Sequence, residues 1–237
     1  MRLSRSRRGP KRLLATSGFA PYTEPKMPIT ELTCSPEEPS SLASASLIYT
    51  PANWFEPLDW RRVFAREQPL EIDLGCGKGS FLFWAAHTQP QRNFVGVDRL
   101  LRRLRRVDRK AVRAGLQNLH LLRIESSYLI SKVIPDHSVS AYHVLFPDPW
   151  PKRRHHGRRL VGAPFLADVR RTLAVGGIVN CATDHEEYFE WIQREFQKDG
   201  GFLKDEPVLL PEEAQTDFER KFVAAGKEVY RCRWRKR

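Results

Sequence analysis

The sequence has no pair of cysteines spaced to form a small metal or redox site. Its four cysteines, Cys34, Cys76, Cys181 and Cys232, are far apart in the chain, whereas zinc ribbons and dithiol redox motifs need a Cys-x-x-Cys pair. We therefore expect no metal site. Cys76 and Cys181 stand in apolar, strand-like stretches, which predicts buried, reduced thiols and a cytoplasmic location.

Long apolar runs are also missing, since none approaches the roughly 20 residues that cross a bilayer. The sequence instead has an excess of positive charge, with 40 Lys and Arg against 28 Asp and Glu and a net charge of +12. Such a protein attracts polyanions. Nucleic acid is the first candidate partner, an anionic membrane surface is the second, and a surface charged only for solubility is the alternative.

The first 50 residues differ in composition from the rest of the chain. Residues 2–12 contain six Arg or Lys and no acid, which favours a flexible tail, with a transit peptide or an RNA-binding arm as alternatives. Met27 is an alternative start, and residues 27–50 are rich in Ser, Pro and Glu, as linkers are. We therefore expect a basic N-terminal extension and linker over residues 1–50 and one folded domain over residues 51–237.

From residue 69 onward, short apolar runs alternate with amphipathic stretches. Strands are predicted over Leu70–Leu74, Asn93–Val97, Leu119–Ile124, Ala141–Phe146 and Ile178–Ala182. Helices are predicted over Ser80–His87, from Leu100 to a stop at Gly115, over Phe165–Leu173 with an exit at Gly176-Gly177, and over His185–Gln197. Repeated βα units with apolar strands predict an α/β fold with a parallel sheet covered on both faces. The alternating tail Glu228–Trp234 predicts an antiparallel strand.

The first strand-to-helix turn carries the run Glu71-Ile-Asp73-Leu-Gly75-Cys-Gly77-Lys-Gly79. Glycines at such a turn let the backbone bend tightly and approach a ligand. The spacing differs from the G-x-G-x-x-G of dinucleotide-binding folds, and Lys78 is followed by Gly rather than by the Ser or Thr of a phosphate-binding loop. A G-x-G-x-G turn after an acidic strand is typical of S-adenosylmethionine enzymes. A glycine-rich turn without a ligand is the alternative.

Two acids follow the next strands. Asp98 ends the second strand, where an acid can accept hydrogen bonds from the ribose hydroxyls of a nucleoside; a helix cap is the alternative. Glu125 ends the third strand, where an acid or amide often meets an adenine, and its alternative is again a cap or a surface acid. Both positions favour a cofactor that contains a nucleoside.

The fourth strand leads into Phe146-Pro-Asp148-Pro-Trp150-Pro-Lys152-Arg-Arg154-His155-His-Gly-Arg158-Arg159. This loop therefore lies at the carboxyl edge of the sheet, where open α/β folds bind ligands. Its three prolines stiffen the backbone and present Asp148 rigidly. Five Arg or Lys lie within residues 152–159, a density suited to phosphates. A solvated basic loop is the alternative.

The segment Phe146–Lys152, followed by Arg-His and Arg-Arg, resembles the tRNA (guanine-N7)-methyltransferases of the bacterial TrmB type. Ala182–Asp184 and Thr216–Glu219 agree in order and spacing, so the resemblance covers about residues 69–234. It implies a Rossmann-like class I S-adenosylmethionine-dependent methyltransferase fold, with a mostly parallel seven-stranded sheet and an antiparallel C-terminal strand. It also implies S-adenosyl-L-methionine as cofactor, tRNA as partner, and methylation of guanine N7 at variable-loop position 46 by a monomer or homodimer.

The resemblance also assigns roles to residues. Asp148 is implied to be catalytic and to contact the cofactor. The other implied or candidate cofactor-binding residues are Glu71, Gly75, Gly77, Gly79, Asp98 and Glu125. The substrate-binding candidates are Lys152, Arg154, Asp184, Thr216, Asp217, Phe218 and Glu219. The chain departs from the family pattern where Asp98 replaces a common Glu, Glu125 replaces Asp or Asn, and Asp217 replaces a Lys or Arg, which we expect to weaken an RNA contact.

Guanine N7 carries a free lone pair and needs no strong base, so positioning and electrostatics are expected to dominate catalysis. We predict that the Asp148 carboxylate stabilises the positive charge that moves onto the base, while Asp184 or Glu219 holds the guanine edge. The helical stretch Arg99–Arg113, with eight Arg or Lys and one Asp, and the tail Arg231–Arg237 are candidate tRNA surfaces. A solvated helix face is the alternative for the first.

Three other functions compete with this one. Asp-Pro-Trp is similar to the D-P-P-[YFW] tetrad of amino-group methyltransferases that act on adenine, so the base could differ. A nicotinamide-dependent oxidoreductase is disfavoured by the glycine spacing. A non-catalytic RNA-binding module is disfavoured because Gly75, Gly77 and Gly79 stand together with Asp98 and Asp148.

Overall fold

The computed structural model describes residues 46–237. Its eight strands are β1 (Ile48–Tyr49), β2 (Leu70–Leu74), β3 (Asn93–Val97), β4 (Leu119–Leu122), β5 (Val139–Leu145), β6 (Leu173–Thr183), β7 (Phe202–Asp205) and β8 (Tyr230–Lys236). The α-helices are α1 (Trp60–Val63), α2 (Ser80–Thr88), α3 (Leu101–Arg113), α4 (Ser126–Tyr128), α5 (Ala163–Thr172), α6 (Glu186–Asp199) and α7 (Asp217–Ala224). A π-helical turn over Leu129–Val133 and 3-10 helices over Arg153–Arg158 and Glu212–Ala214 complete the set.

The strands form a single sheet in the order β1-β4-β3-β2-β5-β6-β8-β7. All pairs from β1 to β6 are parallel, and β8 runs antiparallel between β6 and β7. The predicted α/β fold, with a mostly parallel sheet and an antiparallel C-terminal strand, is confirmed. The sheet has one strand more than the predicted seven because β1 adds a two-residue parallel edge beside β4.

The start of the described chain is tied to the sheet before residue 50. The Leu121 amide donates to the Leu47 carbonyl at 2.9 Å, and the Leu47 amide donates to Asp108 on α3 at 2.7 Å. The boundary predicted at residue 50 thus falls beyond the first paired residues, Ile48 and Tyr49. The predictions for the basic segment and for Met27 lie outside the described residues.

Both faces of the sheet are covered by apolar side chains, as a parallel sheet requires. One cluster joins strand residues such as Ile72 and Val95 to α5 and α6, and a second joins Phe94 and Leu121 to α2 and α3. Helix α2 approaches the sheet closely at Gly96, where an added Cβ would lie 2.3 Å from Leu82 Cδ2. This contact fixes the position of α2, and therefore of the turn that precedes it.

The role predicted for the Gly176-Gly177 pair was wrong. The Gly176-Gly177 pair was expected to end a helix, but α5 ends at Thr172 and both glycines lie inside β6. The register of β5 with β6 shifts at this point, and a Cβ on Gly177 would lie 2.9 Å from the Ala174 carbonyl oxygen. Glycine is therefore needed because two backbone segments approach closely, rather than because a helix ends.

The three cysteines of the described chain, Cys76, Cys181 and Cys232, are buried and carry free thiols. Cys181 and Cys232 lie opposite each other on β6 and β8. Burial of Cys76 and Cys181 was predicted and is confirmed. Within residues 46–237, no helix combines the length and apolar character needed to cross a membrane.

Candidate active site

The glycine-rich turn between β2 and α2 is left-handed at all three glycines. Gly75, Gly77 and Gly79 have φ angles of 82°, 57° and 72°, which favour glycine because a Cβ is strained there. The amides of Gly75 and Cys76 donate to the Val97 carbonyl at 2.9 Å each. The turn is therefore bound to the end of β3, and the space over Gly75 is open, with no atom within 4 Å of an added Cβ.

Asp98 lies beside this turn at the end of β3, as predicted. Its carboxylate accepts from the amides of Gly77 at 3.2 Å and Leu100 at 2.8 Å, and from Arg103 Nη1 at 3.2 Å. The residue thus holds the turn and bonds the backbone at the start of α3. Its expected contact with a ribose stays a prediction.

Glu71 is engaged inside the protein. Its carboxylate accepts from Arg92 Nη1 and bonds His143 Nε2, each at 2.8 Å. Burial alone raises the pKa of Glu71, but the His143 hydrogen bond and the charges of His143 and Arg92 outweigh it and hold the pKa below its usual value. Both oxygens are therefore used in holding β2, β5 and the segment before β3 together. Contact of Glu71 with a cofactor stays a prediction.

Asp73 is a further candidate site residue, which lies in the predicted turn motif but is absent from the predicted cofactor-binding residues. It lies two residues after Glu71 on the same face of β2, closer to the turn, and is only 3% exposed. Its carboxylate forms no hydrogen bond with residues 46–237. Burial raises its pKa to about 7, while His143 opposes the rise and the nearby Asp98 adds to it. A buried carboxylate with a displaced pKa beside a ligand turn is typical of a binding site. Its position at the carboxyl end of β2, directly before Leu74-Gly75, was the available signal.

The loop after β5 presents Asp148 to solvent. Phe146 and Trp150, on either side of it, have φ angles of 55° and 44°, which costs a non-glycine residue about 1–3 kcal/mol. The Phe146 amide donates to the Ala182 carbonyl at 2.8 Å, so the loop starts from the paired edge of β5 and β6. Asp148 is exposed, and its carboxylate forms no hydrogen bond or ion pair with residues 46–237. Rigid presentation of Asp148 stays a prediction.

A buried arginine holds this loop. The Arg159 side chain is fully enclosed: its Nε donates to the Pro149 carbonyl at 2.9 Å, and its Nη2 bonds both oxygens of Glu187, at 3.1 and 2.9 Å. The guanidinium also lies 5.1 Å from the rings of Tyr188 and Trp191. Arg159 was counted among the phosphate-binding cations, and its burial removes it from that group.

The other cations of the loop remain on the surface. Lys152, Arg153, Arg154 and Arg158 are exposed. Arg158 lies 5.0 Å from the ring of Trp150, and Arg154 Nε donates to the neighbouring His155 at 3.3 Å. The predicted substrate-binding residues Lys152 and Arg154 are therefore accessible.

The segment Thr216–Glu219 forms the start of α7. The Thr216 hydroxyl accepts from the Glu219 amide at 3.1 Å and caps the helix. Phe218 is 52% exposed, and Phe222, one turn later, contacts Phe218 and Phe146 at ring distances of 6.2 and 5.7 Å. The aromatic contacts place α7 against the loop that carries Asp148.

Asp217 connects the same helix to the glycine-rich turn. It pairs with Lys78 Nζ at 2.5 Å, accepts from Ser80 Oγ at 2.9 Å and pairs with Arg220 at 2.7 Å. The Lys78 hydrogen bond, opposed in part by burial, lowers the pKa of Asp217. Position 217, where the family resemblance implies a cation, therefore holds an acid that forms ion pairs within this chain. This contact was missed because residues 78 and 217 are distant in sequence.

Glu219 and Asp184 differ in accessibility. Glu219 is fully buried and bonds Arg231, and its Oε2 has no partner. Asp184, after β6, is half-buried and pairs with Lys227 at 3.2 Å.

Glu125 is exposed and caps α4 by accepting from the Tyr128 amide at 2.8 Å. A helix cap is the alternative given for this residue above. The direct contacts join the turn, the Asp148 loop and α7, and do not include Glu125.

Comparison with known proteins identifies the family. The methyltransferase family model Methyltransf_4 matches residues 67–232. The tRNA (guanine-N(7)-)-methyltransferase of Halalkalibacterium halodurans is 36% identical over 191 residues, which cover 78% of this chain and 86% of the relative. That of Geobacter metallireducens is 32% identical, with 81% and 94% covered. That of Thermotoga maritima is 31% identical, and the match spans 73% of this chain and 56% of that longer relative.

Solved structures agree on the fold. The 16S rRNA methyltransferase KamB superposes with a TM-score of 0.58 at 20% identity, covering 76% of this chain and 94% of that one. The antibiotic-resistance methyltransferase Kmr gives 0.52 at 19% identity, covering 82% and 96%. Both show the fold of class I methyltransferases. From the family match and the curated relatives, the chain belongs to the tRNA (guanine-N7)-methyltransferase family, whose cofactor is S-adenosyl-L-methionine.

Proposed function

We propose that this protein transfers the methyl group of S-adenosyl-L-methionine to N7 of a guanine in tRNA, at variable-loop position 46. The observation that carries the proposal is the placement of Asp148. An exposed carboxylate without an ion pair or hydrogen bond among residues 46–237 stands in a loop at the sheet edge that also holds the glycine-rich turn. The position 46 rests on the family resemblance. A cytoplasmic location and a monomeric or homodimeric state remain predictions.

The residues at the turn fit the cofactor. The open space over Gly75 allows close approach of a ligand, and Asp73 is a buried carboxylate without a partner among the described residues. Asp73 suits the cationic end of the cofactor because it would regain a charged partner there. The Asp98 carboxylate would accept hydrogen bonds from the ribose hydroxyls through the lone pairs that its bonds to Gly77, Leu100 and Arg103 leave free. S-adenosyl-L-methionine supplies a methyl group on a positively charged sulfur.

The protein's share of the reaction is positioning and charge stabilisation. Guanine N7 carries a free lone pair, so a methyl transfer in which the sulfonium S–C bond breaks and S-adenosylhomocysteine leaves would require no side chain to remove a proton first. The Asp148 carboxylate would stabilise the positive charge that appears on the base. Asp184 is partly exposed while Glu219 is sealed from solvent, so Asp184 is the better placed of the two to hold the guanine edge.

The experiment is methylation of unmodified tRNA with labelled S-adenosylmethionine, followed by identification and mapping of the modified nucleoside. We expect N7-methylguanosine at position 46. N6-methyladenosine would instead support the amino-group methyltransferase, and the absence of a methylated nucleoside, together with RNA binding, would support the non-catalytic module. N7-methylguanosine at another position would leave the chemistry intact and refute the site.

A further inference from the structure

A basic groove runs beside the glycine-rich turn. Its volume is about 710 Å³. Six cations line it, four of them from α3 at the helical spacing i, i+3, i+4 and i+7, which places them on one face. The cations are Arg106, Arg109, Lys110, Arg113, Lys78 and Arg220. Asp217 is the one acid among the residues that line this groove.

The charge of the groove is only partly compensated. Asp217 pairs with Lys78 and Arg220. The side chains of the four α3 cations form no ion pair or hydrogen bond with any residue from 46 to 237. Lys110 Nζ lies 3.7 Å from the centre of the Phe83 ring, and burial together with the charge of Arg220 lowers the pKa of Lys110. Clustered cations of this kind create a positive potential that a polyanion can neutralise.

Two features favour a nucleic-acid backbone as the ligand. Arginine guanidinium groups match the geometry of phosphate oxygens and bind them with paired hydrogen bonds. The groove also includes Lys78, which lies inside the glycine-rich turn, so a polymer that reaches the active site passes close to it. A small free phosphate would use only part of a groove that extends along two turns of α3.

We propose that this groove binds backbone phosphates of the substrate tRNA, outside the nucleotide that is methylated. The inference rests on the proposed function for the identity of the RNA. It divides the basic helix predicted as a tRNA surface into two groups. Arg106 and Arg109 bind phosphate, whereas Arg102 and Arg105, exposed on the same helix but outside the groove, do not.

The test compares two double variants with the same charge change and the same spacing. Arg106→Gln/Arg109→Gln alters the groove, and Arg102→Gln/Arg105→Gln is the matched control. Binding of unmodified tRNA is measured across a salt series, and steady-state methylation is measured at 0.1 M salt. All four side chains are exposed, and thermal melting of both variants checks that the fold is retained.

We expect the association constant for tRNA to fall less steeply with salt in the groove variant. The magnitude of the slope of log K against log salt should decrease by about 2, because each phosphate contact contributes about 1. The Kd and KM for tRNA should rise about tenfold at 0.1 M salt with kcat unchanged, and the control should show less than half of this effect. Equal effects in the two variants, or an unchanged slope in the groove variant, would overturn the proposal. In the binding assay, inorganic phosphate at matched ionic strength should compete weakly; competition as strong as that of tRNA would point to a free anion site instead.

Failure of the proposed function has a different signature. If the wild-type protein methylates no tRNA, kcat is zero for every variant, while the binding arm still compares the two pairs of arginines. If only the groove proposal is wrong, the wild type still methylates tRNA and the two double variants lose the same tRNA affinity.

Discussion

The Asp73→Asn substitution offers a direct test of the buried carboxylate. In the absence of ligand, burial raises the pKa of Asp73 from its ordinary value of 3.8 to about 7. Between these two values the folded chain holds a proton that the unfolded chain has released, so the free energy of unfolding falls as the pH rises and becomes level above about 7. The difference corresponds to at most about 4 kcal/mol, at about 1.36 kcal/mol per pKa unit.

The asparagine variant keeps the shape of the side chain and removes its charge. At pH 4 the two proteins should be similarly stable, because the carboxyl group of the wild type is then largely protonated in the folded state. At pH 8 the variant should be the more stable by up to about 4 kcal/mol. The full difference would raise the midpoint of urea unfolding by more than about 1 M. The assay is urea unfolding of both proteins from pH 4 to pH 8, and subtracting one curve from the other removes the contribution of all other titrating groups.

The same variant should bind the cofactor more weakly, because a cationic ligand loses its carboxylate partner. Isothermal titration of S-adenosyl-L-methionine at pH 8 measures this effect. A stability difference that does not change between pH 4 and pH 8 would refute the account of Asp73 as an unpaired buried acid. Unchanged affinity with the expected pH dependence would keep the burial argument and remove Asp73 from the cofactor site.

Three further predictions concern the loop and the sheet. Asp148→Asn should lower kcat at least about 100-fold with little change in melting temperature, and near-normal turnover would contradict its proposed role. Arg159→Lys keeps the charge but loses the bonds that span Pro149 and Glu187; kcat should fall while the Kd for the cofactor stays constant, and an equal loss of both would indicate general disruption. Gly96→Ala should destabilise the fold by about 1–3 kcal/mol, because the added methyl overlaps Leu82. In chemical denaturation, Gly162→Ala, where an added Cβ meets open space, should change stability by less than about 0.5 kcal/mol.

Sequence periodicity predicted the elements that are apolar and regular. The bounds of β2 and β3 match their predictions, because β2 ends at the glycine-rich turn, β3 ends directly before Asp98, and both strands belong to the repeated βα pattern. Strand β7 and helix α7 were not predicted. Both elements are short, with four residues in β7 and eight in α7, and each is stabilised by contacts with elements distant in sequence. Pairing with β8 supports β7, and ion pairs with Lys78 and Arg231 anchor α7.

At the candidate site, too, some residues could be predicted from sequence and others could not. Asp98 and the glycines could be placed from sequence because their positions at strand ends follow from the βα pattern. The internal role of Arg159 could not, because a cation in a basic loop has the same sequence signature whether it points to solvent or into the protein. Its burial depends on Glu187, Tyr188 and Trp191, which come from α6. Asp73 could not be selected for a different reason. Its carboxylate is unpaired because His143 and Arg92 both bond Glu71, and sequence does not show which carboxylate they bond.

The bond between Asp217 and Lys78 has a consequence for the order of events at the site. One carboxylate belongs to α7 and at the same time restrains the turn that faces the cofactor. An RNA that draws α7 or its cations away changes the freedom of that turn, and a ligand in the turn changes the freedom of α7. Thermodynamic linkage then requires the two effects to be equal, so tRNA alters the affinity for S-adenosyl-L-methionine by the same factor by which S-adenosyl-L-methionine alters the affinity for tRNA.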